Sequence, residues 1–594
     1  MVIGEVNWYS FKMSETRSSR AETRKSSFTV GNAKSRSHSR SNSKSRRPSL
    51  TSSRSSHRLI RTISIDSELS KGDDDLRSET YSAGTESTDT TAAEYDSVSS
   101  EIQELRLDSG RSGSRSAEVI EVPFVNVTLD NSLPQDYLKD DILNTIQSLK
   151  IPKWYVRGGM DVSPLDRRRL KLTKITGAMT NAIYKVGYPN LPSLLLRVYG
   201  RNNSLIIDRE YELEVLARLS LRNIGPSLFG CFENGRFEQY LENAQTLGKN
   251  DIRDWKTSQR IARRMKELHK GVPLTKQERE MGPACWAKIN HWIKAIELDG
   301  HDWLQDDANI KHNLLCNSWS DFKAVVQRYR NWLYSDGSAS VKNSLVFCHN
   351  DAQYGNLLFT SPVINAENPV HSTVKGSSSS SLFPLDSNVS IEQIINPPIQ
   401  EQSQDSKLVV IDFEYAGANP AAFDLANHLS EWMHDYNCSE PYRCNPLNFP
   451  TKEQMLNFIY SYVSHLRGNS TNPIDDEVKY YYNAILKWRG TVQIFWCLWA
   501  ILQSGHLHEE KLERTESFGP SGNKYIINTA SPEEADVIDK QSADMDGVDI
   551  DSFDYLSYCR EKIALFWGDA IQFGVAQEED CIISEAKFLN IENL

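Results

Sequence analysis

The chain has 594 residues and a formal net charge of −12, from 67 Lys and Arg against 79 Asp and Glu. Its 39% hydrophobic and 25% charged residues are ordinary globular proportions, and its length suggests about two to four domains' worth of sequence. The mildly acidic balance argues against nucleic acid as a partner, because binding to a phosphate backbone needs a strongly positive face.

Neither a membrane span nor a secretory segment is indicated. The longest apolar run, residues 494–502, is about half as long as a bilayer-spanning helix needs to be. The first residues lack the basic head and the long apolar stretch of a secretory signal. Nine scattered cysteines without a C-x-x-C pair indicate neither a disulfide framework nor a zinc site. We therefore expect a cytoplasmic protein without a transmembrane segment.

Residues 1–117 are rich in serine and poor in large apolar side chains, so we expect a disordered tail. Residues 1–60 hold 13 Lys and Arg against 3 Asp and Glu, and residues 61–110 hold 4 against 13, which gives a basic half and an acidic half. Ser49 and Ser64 each follow an arginine by three positions, a spacing that suits a regulatory protein kinase whose acidic pocket reads the basic side chain. For each site, an accidental match in a low-complexity tail is the alternative.

Regular patterning begins near Val119 and predicts a small sheet that carries one helix. The predicted strands are Leu170–Ile175, Ala182–Val186, Leu194–Tyr199, Ser227–Phe232 and Arg236–Leu241, and the predicted helix is Glu210–Ser220. We assign this N-terminal lobe to residues 118–245.

Residues 246–594 are mostly helical in pattern and predict a larger second lobe. The helical candidates are Trp255–His269, Ser318–Leu333, Lys452–Leu466, Val478–Trp488 and Thr491–Ser504. Two low-complexity inserts, residues 360–407 and 506–548, interrupt this lobe, and we expect both to be surface loops. The first insert separates two short predicted strands, Leu345–Phe347 and Leu408–Phe413.

The most informative stretch has the form His349-x-Asp351-x-x-x-x-Asn356 and follows an apolar strand. In kinases with this loop, the Asp accepts the proton of the substrate hydroxyl and the Asn five positions later coordinates magnesium. A second apolar strand ends in Asp412, where a hard oxygen ligand would meet magnesium on ATP. Each part alone is weak, but together they predict a phosphoryl-transfer enzyme with Asp351, Asn356 and Asp412 as catalytic residues.

The small sheet offers two segments that could contact ATP. A hairpin turn could lay backbone N–H groups over the phosphates, although such a stretch by itself is more often an ordinary turn. This turn comprises Gly177, Ala178, Met179, Thr180, Asn181, Ala182 and Ile183. Gln239, Tyr240 and Leu241 end the last predicted strand, where the segment between the lobes would receive the adenine.

Arg197 is a lone charge within an apolar strand, and a charge at such a position is usually paired. Its expected partner is Glu212 on the following helix, with Glu210 and Glu214 as alternatives. This pair would position the phosphates as the Lys–Glu pair of protein kinases does. A structural salt bridge at the surface is the other interpretation.

These motifs resemble the choline/ethanolamine kinase family. The resemblance rests on the loop from His349 to Asn356 and still more on the stretch Ile411-Asp412-Phe413-Glu414-Tyr415-Ala416-Gly417-Ala418-Asn419-Pro420-x-x-Phe423-Asp424-x-x-Asn427-His428-x-x-Glu431-Trp432. It spans roughly residues 120–594 outside the inserts, and the serine-rich front and central insert are similar to those of fungal members of the budding-yeast type. The resemblance implies an α+β, two-lobed, protein-kinase-like fold, related to aminoglycoside phosphotransferases, with a small antiparallel sheet lobe and a larger, mostly helical lobe.

The resemblance also implies an activity. It implies phosphorylation of the choline hydroxyl by ATP with Mg²⁺, which is the first step of the CDP-choline route to phosphatidylcholine. It further implies that ethanolamine is used as well, that Gln353 lies near the phosphates, and that the chain forms a homodimer.

The acceptor site can be argued from chemistry, because a quaternary ammonium cannot donate hydrogen bonds and is bound by aromatic faces and a carboxylate. Trp496 and Trp499 are three residues apart and share a helix face, although such a stripe alone is more typical of core packing. The resemblance assigns the choline head to Tyr415, Glu431, Tyr436, Trp496, Trp499 and Tyr555.

Three other functions compete with this interpretation. An ethanolamine kinase would share every phosphoryl-transfer element. The primary ammonium of its substrate, however, is bound best by hydrogen-bond acceptors, whereas paired tryptophans favour a methylated cation. A protein kinase is disfavoured, because the chain has no G-x-G-x-x-G, D-F-G or A-P-E-like segment. A catalytically silent scaffold acting through its tail would not need to retain Asp351, Asn356 and Asp412.

Overall fold

The structure of the chain is a computed structural model. It describes residues 59–65, 118–131, 134–156, 165–175, 181–199, 208–222, 224–335, 337–361, 382–383, 390–468, 472–505, 514–518, 524–528 and 553–594. The candidate phosphorylation site Ser49 and residues 177–180 of the predicted phosphate turn lie outside the described residues.

The strands, in chain order, are β1 Leu59–Ile65, β2 Glu118–Val125, β3 Lys171–Ile175, β4 Asn181–Tyr188, β5 Leu191–Tyr199, β6 Leu228–Phe232, β7 Gly235–Gln239, β8 Gln245–Thr246, β9 Leu345–Cys348, β10 Leu357–Phe359, β11 Leu408–Val410, β12 Gly417–Pro420, β13 Arg514–Phe518 and β14 Lys524–Asn528. The α-helices are α1 Gln135–Leu149, α2 Arg209–Ser220, α3 Trp255–Gly271, α4 Lys276–Met281, α5 Ala284–Asp299, α6 His301–Gln305, α7 Asp307–Leu314, α8 Trp319–Leu333, α9 Ser338–Asn343, α10 Ile391–Ile395, α11 Ile399–Gln402, α12 Ala421–Glu431, α13 Lys452–Ser464, α14 Ile474–Gln503 and α15 Tyr555–Gln572.

Strands β1 to β7 form one sheet in the order β1-β2-β6-β7-β5-β4-β3. Helix α1 packs its apolar face on one side of this sheet, with Ile142 and Ile146 in the same buried cluster as Leu196 and Phe237. Helix α2 lies in a second cluster with residues of β2 and β6. Because successive side chains of a strand point to opposite faces, Arg197 points away from the face on which Leu196 packs.

The predicted α+β architecture is confirmed, with a small sheet lobe followed by a mostly helical lobe. The sheet was expected to be antiparallel throughout, but β2 and β6 run parallel, with Phe124 opposite Cys231. A second departure is β1, which lies within the tail expected to be disordered and pairs Ser64 with Val119. Leu59–Ile65 is rich in isoleucine and other strand-forming residues, and the antiparallel partner β2 supplies the ladder that an isolated strand would lack.

Helix α14 forms the centre of the second lobe and packs against α5, α12, α13 and α15. The sequence predicted two helices separated at Gly490, but the structure has one helix of 30 residues. A Cβ at Gly490 would overlap the hydroxyl of Tyr329, which donates a hydrogen bond to the carbonyl of Lys487 at 2.8 Å. The glycine therefore permits the close approach of α8 rather than ending the helix.

The two low-complexity inserts are only partly surface loops. Residues 390–407 form α10 and α11, and Ile391 and Ile394 of α10 are buried in the main core. The expectation that the whole of 360–407 is a surface loop was therefore wrong for this part, because these isoleucines supply an apolar face. Within 506–548, β13 and β14 pair as an antiparallel hairpin. Among the described residues, no helix is long and apolar enough to cross a membrane.

Short sheets in the second lobe bring two polar loops together. Strand β9 pairs with β12, and β10 pairs with both β8 and β11. The loop after β9 and the loop after β11 consequently emerge side by side, and they carry the residues that the sequence assigned to phosphoryl transfer.

Candidate active site

One backbone hydrogen bond and one side-chain contact join the loop after β9 to the loop after β11. The amide of Ile411 donates a hydrogen bond to the carbonyl of Asn356 at 3.0 Å. The ring Nε2 of His349 lies 2.9 Å from the carbonyl of Ile411, and a carbonyl only accepts, so Nε2 carries the proton. The ring Nδ1 of His349 accepts from the amide of Asp351 at 3.2 Å. His349 therefore orients backbone, and Asp351 and Asp412 are held by the same set of contacts.

Asp351 and Asn356 are coupled directly. The side-chain Nδ2 of Asn356 donates to the Oδ2 and to the carbonyl oxygen of Asp351, both at 2.9 Å. An amide nitrogen cannot coordinate a metal, so the Oδ1 of Asn356 is the atom that could serve as a ligand. Burial, followed by the charges of Glu431, Asp412 and Glu414, raises the pKa of Asp351 well above its usual value.

Both loops hold a non-glycine residue in the left-handed region. Asn350 and Asp412 each have φ = 66°, a conformation that persists only where the surroundings fix it. The side chain of Asn350 accepts a hydrogen bond from Asn419 and donates one to the carbonyl of Tyr415, both at 2.9 Å. These contacts fix the loop in front of β12.

The buried carboxylate of Asp424 holds the start of the loop after β9 in place. It accepts the backbone amides of His349 at 2.9 Å and Asn350 at 2.7 Å, and its Oδ2 lies 2.9 Å from Nε2 of His269. Burial alone would raise the pKa of Asp424, but His269 and then His349, through its charge and its backbone amide, lower it. His269, Cys348 and Asp424 lie close enough to suggest a metal site. However, Nδ1 of His269 lies 2.8 Å from the hydroxyl of Tyr462, so hydrogen bonds account for both ring nitrogens and for the carboxylate.

The expected Arg197–Glu212 pair is not formed. Arg197 instead lies 3.5 Å from Glu238 and 3.3 Å from Asp412. Glu212 pairs with Arg209 and with Arg236, both at 2.8 Å. The cause is the sheet register, because Arg197 lies directly opposite Arg236 on β7, and a single sequence pattern could not show that a second buried arginine competes for Glu212. Arg197 still reaches the site, through Asp412.

Glu414 belongs to the motif that begins at Ile411, but the sequence predicted no role for it in the site. It lies two residues after Asp412, and its Oε2 is 3.9 Å from Arg209. Burial, with the charges of Asp412 and Glu212, raises the pKa of Glu414 to about 8. The left-handed backbone at Asp412 and the turn that follows it place Glu414 there, and no strand alternation in the sequence could have predicted this.

The carboxyl groups of Asp351, Asp412 and Glu414 therefore act on one another electrostatically, and Arg197 and Arg209 offset only part of their negative charge. Hard oxygen donors with surplus negative charge are the set that Mg²⁺ prefers. Burial, and after it the repulsion between these carboxylates, raises the pKa values of Asp351 and Glu414. The residues present thus fit a divalent cation held by Asp412, Asn356 and Glu414.

A second group of side chains, the aromatic box, lies beside these carboxylates. The rings of Tyr415 and Trp496 have centroids 5.2 Å apart, those of Trp496 and Trp499 are 5.4 Å apart, and those of Trp499 and Tyr555 are 5.7 Å apart. Trp496 donates its indole N–H to the Oδ1 of Asn427 at 2.7 Å, and Trp499 donates to the hydroxyl of Tyr415 at 2.8 Å. The indole N–H groups are satisfied, which fixes the ring planes.

Glu431 and Tyr436 complete the box. The hydroxyl of Tyr436 donates to the Oε2 of Glu431 at 2.8 Å. The backbone amide of Tyr436 donates to the hydroxyl of Tyr354 at 2.6 Å. Because Glu431 raises the pKa of Asp351, the box and the carboxylate cluster are electrostatic neighbours.

Tyr558 is an aromatic residue of the box that sequence reasoning missed. Its ring centroid lies 6.2 Å from that of Trp499 and 5.6 Å from that of His434. The charge of Glu431 contributes, after burial, to a pKa of Tyr558 well above its usual value. Tyr558 lies one helical turn after Tyr555, so the helical period of α15 was the signal that could have found it.

The remaining nucleotide candidates lie at the edge of the sheet and in the catalytic loop. Asn181 lies opposite Tyr199, and Ile183 lies opposite Arg197 in the β4–β5 ladder. Gln239 ends β7, and the ammonium of Lys185 lies 4.1 Å from the ring centroid of Tyr240, just before the chain enters the second lobe.

In the catalytic loop, the Oε1 of Gln353 accepts a hydrogen bond from the amide of Gly355 at 3.2 Å. Ala182 lies next in β4 and Leu241 follows Tyr240.

Comparison with known proteins gives one consistent result. The family described as choline/ethanolamine kinase matches residues 172–567, and that described as choline kinase N terminus matches residues 114–159. Choline kinase of Saccharomyces cerevisiae is 56% identical over 583 residues, covering 96% of this chain and 98% of that protein. Ethanolamine kinase of the same yeast is 40% identical over 484 residues, covering 78% and 82%. A crystal structure of choline kinase from Cryptosporidium parvum Iowa II has 18% identity and a TM-score of 0.48, covering 73% of this chain and 97% of that one.

Proposed function

The chain belongs to the choline/ethanolamine kinase family, and we propose that it is a choline kinase, which transfers the terminal phosphoryl group of ATP to the hydroxyl of choline. Phosphocholine would be the product, as the first step of the CDP-choline route to phosphatidylcholine. Ethanolamine would be a second, weaker substrate.

The observation that carries this proposal is that two different subsites are electrostatic neighbours, since the charge of Glu431 in the aromatic box acts on Asp351. The carboxylate cluster of Asp351, Asp412 and Glu414 suits a metal-bound nucleotide and an attacking hydroxyl. The aromatic box suits a cation that donates no hydrogen bonds. Choline has a hydroxyl and such a cation at its two ends, so one molecule could occupy both subsites.

Asp351 would orient the choline hydroxyl and accept its proton as the new bond to phosphorus forms. Its pKa is raised in the cation-free protein, and the arrival of cations would lower it and leave the carboxylate ionised. Asn356 would keep the carboxylate in place through its two hydrogen bonds. His349 and Asp424 would hold the loop without handling the transferred proton.

Mg²⁺ would be held by Asp412 and Asn356, with Glu414 beside them. When bound, the ion would neutralise the phosphate charge of ATP. Arg197, which already contacts Asp412, would face the same phosphates. The turn 177–183 and Gln353 would cover the phosphates, and Gln239, Tyr240 and Leu241 would receive the adenine.

An ethanolamine kinase is the second candidate, favoured by the 40% identity to the yeast ethanolamine kinase. The aromatic box argues for choline, since rings bind a methylated cation well and offer little to three N–H donors. A silent scaffold is disfavoured by the intact contacts among Asp351, Asn356 and Ile411.

The test is phosphorylation by the purified full chain. The chain would be incubated with γ-labelled ATP and Mg²⁺, with choline, with ethanolamine or with neither, and Asp351→Asn would serve as the matched control. We expect amine-dependent label transfer with choline preferred and no transfer by the variant. Label transfer that does not depend on either amine would overturn the proposal.

Further proposals concern the assembly and regulation of the chain. We propose a cytoplasmic homodimer and phosphorylation of Ser49 and Ser64 by a regulatory protein kinase. Sedimentation of the purified chain tests the first, with a monomer at micromolar concentration as the contrary result. Mass spectrometry of the native protein tests the second.

A further inference from the structure

A buried lysine lies inside the amine subsite. Lys562 is on α15 and is fully buried. Its Nζ lies 3.5 Å from the Oε1 of Glu431, 2.8 Å from the Nε2 of His434 and 4.9 Å from the ring centroid of Tyr558. A buried ammonium is stable only when it is paired and hydrogen-bonded, and these contacts meet that requirement.

The contacts of Lys562 close into a ring. Glu431 accepts from Lys562 and from Tyr436, and the ring of Tyr436 stacks on that of His434 with centroids 5.5 Å apart and planes at 2°. His434 in turn contacts Lys562. We call these four residues the lysine network. Each member is fixed by two others, so the ammonium of Lys562 has a defined place beside the amine subsite.

The lysine network takes up hydrogen-bonding capacity on Glu431. Oε2 accepts from the hydroxyl of Tyr436, and Oε1 accepts from Lys562. A carboxylate only accepts, and each oxygen has a limited set of lone pairs. The N–H donors of a primary ammonium would compete with Lys562 and Tyr436 for these oxygens. A quaternary ammonium has no N–H group and needs no hydrogen bond from Glu431.

Lys562 also changes the charge of the subsite. Its positive charge offsets that of Glu431, so attraction for an incoming cation would come mainly from the aromatic faces and from the carboxylate cluster. A primary ammonium is a compact, strongly hydrated charge and loses much hydration on entering such a site. A methylated cation loses less and gains contact with the rings.

We propose that Lys562 determines specificity, because it occupies Glu431 and so makes the subsite prefer quaternary over primary ammonium substrates. Lys562 is thus a positioning residue that acts through Glu431 and not through contact with the reacting atoms. This inference rests on the proposed function and specifies how the same site discriminates between its two substrates.

Lys562→Met tests the proposal, with steady-state kinetics for choline and ethanolamine at saturating ATP. Freeing the Oε1 of Glu431 restores an acceptor and a net negative charge. We expect the ratio of kcat/KM, ethanolamine over choline, to rise about tenfold. The rise should come from a lower KM for ethanolamine with kcat little changed, which a merely structural role would not produce.

Two matched controls separate this effect from loss of a buried charge. Lys562→Arg keeps the positive charge and should keep the wild-type ratio. Asp569→Asn weakens the fully buried Arg489–Asp569 pair, which joins α15, the helix of Lys562, to α14 outside the aromatic box. It should lower thermal stability and leave the ratio unchanged.

Tyr436→Phe provides a second route if Lys562→Met does not fold. It keeps the ring and its stacking on His434 but frees the Oε2 of Glu431, so the ratio should again move toward ethanolamine. A ratio within twofold of wild type in every folded variant of these two would overturn the inference. Wild-type protein that phosphorylates neither amine would instead overturn the proposed function, so the two failures are distinguishable.

Discussion

The carboxylate cluster and the aromatic box are built in opposite ways. The cluster lies on two loops, holds Asn350 and Asp412 at positive φ, and gathers acidic groups whose charge is only partly offset. The box lies largely on helices α14 and α15, and its carboxylate, Glu431, is paired with a fully buried lysine. One region is strained and charged, whereas the other is packed and nearly neutral.

This difference follows from what each region would bind. A metal-bound nucleotide brings its own cation, so surplus negative charge at the site would attract it. A quaternary ammonium carries one diffuse charge and no donors, so rings of fixed orientation serve it best. Changes in the cluster should therefore affect catalysis, and changes in the box should affect the amine KM.

The largest expected effect is in the cluster. Asp351→Asn removes the proton acceptor but keeps a side chain that can contact Asn356. We expect kcat for choline to fall by about 10³-fold or more, within the range for a lost general base and positioning group. Circular dichroism and thermal melting should match wild type. Turnover within tenfold of wild type would contradict the assignment of Asp351.

The aromatic box should respond differently. Trp499→Phe keeps a ring but removes the hydrogen bond to Tyr415 and the stronger indole face. We expect the choline KM to rise about tenfold, which corresponds to the range of one cation–π contact. The ATP KM should stay within twofold. Equal rises in both values would indicate a core role for Trp499 and erase the distinction between the regions.

A smaller effect is expected in the helix that supports the box. Gly490→Ala places a methyl group against the hydroxyl of Tyr329, and overpacking a buried contact costs roughly 1–3 kcal/mol. We expect a lower midpoint in urea, with the choline KM unchanged in the folded variant. The double variant with Tyr329→Phe should recover part of the loss; an undiminished loss would show that the strain lies elsewhere.

The cluster was the more predictable of the two regions from sequence. Short motifs next to predicted strands identify its residues, which are Asp351, Asn356 and Asp412. The partner of Arg197 was not predictable, because the pairing of β5 with β7 placed Arg236 beside it and redirected Glu212. Tyr558 could have been found from the helical period of α15, but the role of Lys562 depends on how α15 packs against α12. Short motifs thus give chemistry, whereas long-range register and helix packing decide which charges meet.

The smallest expected effect concerns the pH dependence of the cation-free protein. The folded pKa of Glu414, about 8, lies above the value of an unfolded glutamate, about 4.3. Between these values the folded state binds more protons than the unfolded state, so stability should fall as pH rises from about 5 to 8. Glu414→Gln cannot titrate and should flatten that fall.

The measurement is the thermal midpoint at pH 5 and pH 8, with and without Mg²⁺. We expect the fall in the wild-type midpoint to exceed that of Glu414→Gln by about 3 °C. Mg²⁺ should raise the wild-type midpoint more at pH 8 than at pH 5, because the ion competes with the proton for the same oxygens. Equal Mg²⁺ effects at both pH values would mean that the cluster carries no surplus charge, and the contrast with the neutral aromatic box would then be lost.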